Sequence, residues 1–352
     1  MGITKLTDLI RIDAPSAISH KVIGDYTGKV IALDASILMH QFRAAIPSMQ
    51  HLSPLTGLFF RTLTFLEHDI KPVFVFEGRP PEQKRALLEK RRQSAGFHSP
   101  ECPNAAACSV SFQTQDCMNL LKLMGVPFVQ APGDGEAYCA HLLKSGSVDA
   151  VASEDMDTLA FGGTVLLRQL NAKKDSDVIE FSLPKILEEL KLTQAQFIDL
   201  CILLGCDYCE KIVGLGPRRA LSLIKQHCTI ESVTQNVNKK IHPIPVNWQY
   251  QDARNLFLNT LHSGAPELAW KEPDEESLVQ FLCGQKHVKE HRIRSRMEKF
   301  RQSRQENRKT KEEQKAAGKS KQLRIDKFFR VTRKRQQCAE AAGAGKKQKT
   351  KT

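Results

Sequence analysis

Short apolar runs alternate with amphipathic stretches from residue 1 to about residue 285, the patterning of a layered α/β domain. Val30-Ile-Ala-Leu-Asp34, Pro72-Val-Phe-Val-Phe76, Val148 to Ser153 and Gly163-Thr-Val-Leu-Leu167 each predict a buried strand. Gly57 to Glu67, Pro81 to Arg92, Gln115 to Met124 and Glu136 to Ser145 predict helices between them. Gln93 to Ser111 breaks helical periodicity with Gly96, Pro100 and Pro103, which predicts a loop or a poorly formed cap. Beyond about Lys286 the composition turns to Lys, Arg, Gln, Ser and Glu, which predicts a helix followed by a disordered basic tail.

Three of the predicted strands end on an acid: Asp34, Glu77, and the Glu154-Asp-Met-Asp157 stretch. In an open parallel sheet, ligands collect beyond the carboxyl ends of the strands. Asp134-Gly-Glu136 and Asp155-Met-Asp157 repeat one spacing, which in an extended or turn segment turns both side chains to one side. Asp207 follows a further apolar run and completes the set. Carboxylates gathered without basic partners repel, and burial sharpens the penalty. Hard divalent cations remove it, and Mg²⁺ tolerates few direct carboxylates while keeping its waters. Two such ions about 4 Å apart suit in-line phosphodiester cleavage. Scattered surface acids are the competing account of any one of these residues. The shared placement of the set favours metal-dependent phosphoryl chemistry.

Charge sharpens the choice of substrate. The 352 residues carry a formal net charge of +13, which favours a polyanionic partner and nucleic acid first. Lys84 and Arg91 lie seven apart on one predicted helix face, flanked by Arg85, Lys90 and Arg92, where they can hold a phosphate. Gly205 ends a predicted helix, Gly214-Leu-Gly216 turns the chain, and Pro217 opens the next helix ahead of Arg218 and Arg219. Backbone amides at such a helix start grip phosphate without reading sequence. The ten cysteines form no tight zinc pattern and read as free thiols. No apolar run approaches the ~20 residues of a membrane span, and no secretory h-region is seen, so a soluble intracellular protein is expected.

The chain resembles the flap endonucleases of the structure-specific 5′-nuclease superfamily over nearly its full length. Met1-Gly-Ile3, Ala14-Pro-Ser-Ala17, Ile31-Ala-Leu-Asp-Ala-Ser36, Ala131-Pro132, Glu154-Asp-Met-Asp157, Leu200 to Gly205 with Asp207-Tyr-Cys-Glu210, and Phe281-Leu-Cys-Gly284 carry the resemblance. It implies an α/β fold, a central mostly parallel sheet flanked by helices, with a helical arch and a helix–two-turn–helix module. The implied division is 1–95 for the N-terminal nuclease region, 96–112 for a shortened arch, and 113–285 for the internal nuclease region, with the DNA-binding module at about 200–228. The tail, 286–352, follows. Two Mg²⁺ ions, with Mn²⁺ able to substitute, would sit on Asp34, Glu77, Asp134, Glu136, Asp155, Asp157 and Asp207. Lys84 and Arg91 would take the catalytic phosphate-gripping roles. DNA would meet Lys84, Arg91, Asp134, Gly205, Asp207, Gly214, Gly216, Arg218 and Arg219.

Five departures from the family pattern bear on activity. Glu77 stands where the family has Asp, and Asp134 where it has Glu, moving each carboxylate by about one methylene; a misplacement near 1 Å is worth roughly 100-fold in rate. His40 replaces an aromatic that stacks on a substrate base. Lys211 replaces a serine of the family's K⁺ site, and its charge discourages a cation there. The arch is shortened and broken between Gln93 and Ser111.

In the tail, Gln322-Leu-Arg-Ile-Asp-Lys-Phe-Phe329 fits the peptide that docks on the sliding clamp, proliferating cell nuclear antigen. Ile325, Phe328 and Phe329 would form its apolar plug, with Gln322 reaching a polar pocket. Arg333-Lys-Arg335 and the lysines from Lys346 to Lys351 resemble nuclear localisation clusters and could equally add nonspecific DNA affinity. The expected protein is a monomeric, nuclear, clamp-associated 5′-flap endonuclease and 5′–3′ exonuclease acting on branched DNA. Up to three copies would fit a clamp trimer, and a mitochondrial fraction stays open. The alternative is a DNA- and clamp-binding paralogue with weakened catalysis.

Overall fold

A computed structural model describes residues 2–35, 54–85, 89, 112–170, 177–259, 264, 266–286 and 288–316. His40, Arg91, the 93–111 segment and the 322–329 peptide lie outside the described residues. The chain divides into two compact units, Met1–Ser303 and Arg304–Thr352. The second is described to residue 316, where it is helical.

The first unit is organised by one seven-stranded sheet, in the order β1-β7-β6-β5-β2-β3-β4. Its strands are β1 (Ile18–Val22), β2 (Val30–Asp34), β3 (Lys71–Phe76), β4 (Phe128–Gln130), β5 (Ala150–Ala152), β6 (Val165–Arg168) and β7 (Asp177–Ser182). The run β6-β5-β2-β3-β4 is parallel, whereas β7 pairs antiparallel with both β6 and β1. The sheet is therefore mostly parallel, as the resemblance implies.

Why the central strands β2, β3 and β5 are apolar follows from burial on both faces. Along β3, Val73 and Val75 enter one core while Phe74 and Phe76 enter the other, the two-residue alternation of a pleated strand. One face is covered by α1 (Leu6–Asp13), α4 (Gly135–Lys144), α6 (Leu183–Leu190) and α7 (Gln194–Leu204). The other lies under α2 (Pro54–Glu67), α3 (Phe112–Leu123), α11 (Glu275–Val279) and the start of α12 (Glu290–Ala316). α5 (Asp157–Ala160), α8 (Pro217–His227), α9 (Ile230–Asn236) and α10 (Tyr250–Leu258) add their buried side chains to the first of these cores.

Several predicted boundaries fall where expected. Gly205 follows α7 at φ 104°, in the left-handed region, and Pro217 is the first residue of α8 behind the Gly216 cap. α7, α9 and α10 are tied together by Arg254, which donates to Asp199 at 2.7 and 2.8 Å and to Glu231 at 2.8 and 3.1 Å. Among the described residues no helix is long and apolar enough to cross a membrane.

Candidate active site

The parallel run sends the carboxyl ends of β5, β2, β3 and β4 to one edge of the sheet, and each delivers acid there. Asp34 is the last residue of β2, Glu77 follows β3, Asp134 and Glu136 follow β4, and Asp155 and Asp157 follow β5. Asp207 arrives from the loop after α7. One carboxylate oxygen from each of Asp155, Asp157 and Asp207 lies within 4.8 Å of the others, a grouping that could hold a metal ion.

The repeated spacing falls in both cases at the turn into a helix, the second of the two settings expected. Asp134 is the residue preceding α4 and Glu136 lies in its first turn, while Asp157 opens α5. The acids thus gather where backbone N–H groups point outward, which favours negative charge. Asp157 N–H donates to Asp155 Oδ1 at 3.0 Å, and Asp155 N–H donates to Ser153 Oγ at 3.0 Å. Ser153 Oγ in turn donates to Asp34 Oδ2 at 3.4 Å, a long contact that spans β5 and β2. Glu154 accepts from Gln169 N–H at 2.8 Å and Arg168 Nε at 3.3 Å. It anchors the loop to the end of β6 because the extra acid beside Asp155 finds a cation there.

Two glycines permit the crowding. A Cβ on Gly2, at φ 79°, would sit 1.8 Å from Asp155 Oδ1. A Cβ on Gly78 would sit 1.9 Å from the Ala131 carbonyl oxygen, so the loops after β3 and β4 close on each other only with glycine there. Gly78 N–H completes that closure by donating to the Gly133 carbonyl at 2.8 Å.

Burial first, and then Asp34, push the Glu136 carboxyl well above the usual range against the pull of Lys84. Burial and the Asp155 charge do the same to Asp157. Each also has a buried oxygen, Glu136 Oε2 and Asp157 Oδ1, with no hydrogen-bond partner among the described residues. Buried acceptors left so are rare and expensive, and a cation is the partner that suits them. For Lys84, burial alone would lower the ammonium pKa, but Glu136, Asp134 and Glu77 together raise it.

Asp134 stands somewhat apart. Its Oδ1 accepts from Lys84 Nζ at 2.9 Å and its Oδ2 from the Tyr208 hydroxyl at 2.7 Å. Lys84 Nζ also lies 3.9 Å from Glu136 Oε2, beyond hydrogen-bond reach. Glu77 is exposed, its Cγ 3.5 Å from where a Gly135 Cβ would stand. In the candidate DNA-binding module, Gly214 turns the chain at φ 77°, and Arg218 and Arg219 lie exposed in the first turn of α8. Lys211 lies against Gly205, where an added Cβ would meet its Cδ at 3.0 Å. Sequence reasoning missed Tyr208, Ser153 and the Arg254 network as participants. Tyr208 sat within a quoted motif, but nothing local marks its reach to Asp134.

The chain matches the XPG N-terminal domain over residues 1–96 and the XPG I-region over residues 125–207. It is 60% identical over 350 residues to a probable flap endonuclease 1 homolog of Danio rerio, covering 99% of each chain. It is 43% identical to flap endonuclease 1 of Xiphophorus maculatus, covering 99% of this chain and 97% of that one. Among solved structures, the catalytic core of Rad2 in complex with DNA substrate superposes with a TM-score of 0.72 at 22% identity, covering 85% of this chain and all of that one, and supports the fold. Flap endonuclease-1 from Methanococcus jannaschii gives a TM-score of 0.63 at 25% identity, over 81% of this chain and 96% of that one. With so much of its length held in common with these relatives, the chain belongs to the flap endonuclease family of structure-specific nucleases.

Proposed function

We propose that the protein is a divalent-metal-dependent 5′-flap endonuclease and 5′–3′ exonuclease that cuts branched DNA near the junction of single and double strand. One observation carries the reading: neighbouring parallel strands deliver acids to one edge of the sheet, where buried oxygens of Asp157 and Glu136 lack partners. Asp155, Asp157 and Asp207 would hold an ion, with Glu136 and Asp34 close enough electrostatically to extend the site. All-oxygen donors suit Mg²⁺ or Mn²⁺. Bound there, such ions supply an activated water and stabilise the departing oxygen of the phosphodiester.

The residues of the chain do the rest. Lys84, charged beside Asp134 and Glu136, meets the scissile phosphate, with Arg91, seven residues on in the sequence, as its partner. Loop 205–216 and the start of α8 grip the duplex through backbone N–H groups, Arg218 and Arg219. The charge of Lys211 in this module discourages a K⁺ ion there. Residues 322–329 dock on the sliding clamp, and the protein works in the nucleus, in replication and long-patch base excision repair.

The test is cleavage of a labelled double-flap substrate with purified protein and Mg²⁺, mapped to the nucleotide. Asp155→Ala should abolish cleavage while leaving flap-DNA binding nearly intact; parent-rate cutting by that variant refutes the metal assignment. The altered pair Glu77 and Asp134 keeps a weakened paralogue in view. Little cutting by the parent, with activity restored by Glu77→Asp plus Asp134→Glu, would establish that second reading.

A further inference from the structure

Asp134 has both oxygens engaged within the protein. Lys84 Nζ lies 2.9 Å from Oδ1, and the Tyr208 hydroxyl donates to Oδ2 at 2.7 Å. Asp157, by contrast, keeps Oδ1 buried with no hydrogen-bond partner among the described residues. Asp134 precedes α4 yet makes no capping bond to that helix, so its side chain is turned away from the backbone and toward Lys84 and Tyr208. Tyr208 is 2% exposed, and its ring stands edge-on to Phe161 at 5.9 Å and Phe257 at 5.2 Å. That packing fixes where the hydroxyl points, and a buried tyrosine hydroxyl needs a partner. Each Asp134 oxygen keeps a lone pair, but the two donors fix its orientation, and among the described residues Asp134 falls outside the grouping of Asp155, Asp157 and Asp207 that could hold an ion.

We propose that Tyr208 and Asp134 are positioning residues for Lys84, and that Asp134 is not a metal ligand in this chain. The inference rests on the cleavage reading above only for its kinetic consequence. A free lysine holds about 2 kcal/mol of rotamer entropy over four carbons. Tethered at Oδ1, the ammonium is instead held beside Glu136 before any phosphate arrives, and donors fixed in advance are the ones that stabilise charge as it develops. Tyr208 secures the other oxygen, so the carboxylate cannot swing toward the Asp155 group.

Tyr208→Phe removes only the hydroxyl and keeps the ring against Phe161 and Phe257. Three readouts decide the matter: calorimetric Mn²⁺ titration without DNA, single-turnover cleavage of a double flap at saturating DNA and metal, and acylation of Lys84 mapped by mass spectrometry, with the half-exposed Lys29 as internal reference. The expected result is unchanged Mn²⁺ affinity, cleavage slower by about tenfold or more, as befits a lost charge-assisted hydrogen bond, and Lys84 acylated faster. Asp134→Asn should likewise leave Mn²⁺ affinity intact and expose Lys84. Parent-rate cleavage or unchanged acylation in Tyr208→Phe overturns the proposal, as does a marked loss of Mn²⁺ affinity in Asp134→Asn. A parent protein that does not cut at all defeats the nuclease reading instead, and the metal titration and Lys84 labelling then still decide the brace.

Discussion

Asp157→Asn should make the metal-free protein more stable while abolishing its response to metal. Unit charges 4.8 Å apart repel by about 3.5 kcal/mol at an effective dielectric constant of about 20. Asp157 faces two such neighbours, Asp155 and Asp207, within that distance. Proton uptake relieves part of this, as the raised pKa of Asp157 records. Asparagine removes the charge at nearly constant volume and brings a donor, so a gain of about 1–3 kcal/mol is expected, or a rise in Tm of at least about 2 °C in a domain of this size. The sign with pH follows from the raised folded-state value. The stability contribution of Asp157 is fully present below its unfolded pKa of about 3.9 and is lost as pH climbs through the folded value. Without metal, the parent should therefore fall progressively below the variant as pH rises above about 4. Metal reverses the ranking near saturation: a ligand at 1,000 times its Kd stabilises by about 4.1 kcal/mol, and only the parent should collect this. The assay is thermal unfolding in chelator and along a Mg²⁺ series, at several pH values. A variant less stable than the parent in chelator, or one raised equally by Mg²⁺, refutes the reasoning.

Arg254→Ala should destabilise by about 3 kcal/mol, because it strands the buried Asp199 carboxylate beneath α9 and α10; thermal denaturation at neutral pH reads this directly, and an unchanged Tm would show the network to be dispensable. Glu231 is held down to about 2 chiefly by its hydrogen bond from Arg254, so its contribution is present above its unfolded pKa and lost as pH falls through about 2. Glu231→Gln should accordingly flatten the acid limb of the stability profile between about pH 4.5 and 2, and a limb identical to the parent's would count against it. Gly78→Ala should force the β3 and β4 loops apart, lowering Tm by several degrees and slowing cleavage, since its Cβ meets a backbone oxygen rather than a yielding side chain; parent-like values in both assays would mean the loops have slack.

What the sequence makes legible depends on how local each cause is. β2, β3, β5 and β6 stand out because continuous apolar runs mark strands buried on both faces. β4 and β1, Ile-Ser-His-Lys-Val, are not among the predicted strands because as edge strands they need little apolar character, and β7, with acids at two of its six positions, is missed as well. Gly205 and Pro217 announce their helix ends through their own backbone chemistry. The acids are likewise visible one by one, and the parallel order of strands is what brings them to one edge. Tyr208 and Asp134 are 74 residues apart, and Ser153 and Asp34 are 119 apart. Contacts made across such distances by chain topology leave no periodic trace. Glu154 shows the converse: its adjacency to Asp155 groups it with the strand-end acids, and only the return of β6 reveals its hold on Arg168 and Gln169.

The two-core alternation of the central strands has a consequence for insertions and deletions. Ala32 belongs to one face of β2, with Ile31 and Leu33 on the other, so Asp34 keeps its side of the sheet by even-numbered parity. Loss of a single residue upstream in that strand would turn the carboxylate into the other core, with Ile31 and Leu33, without changing any acid in the chain. The site is thus protected less by the identity of its carboxylates than by the frame in which the pleat counts them.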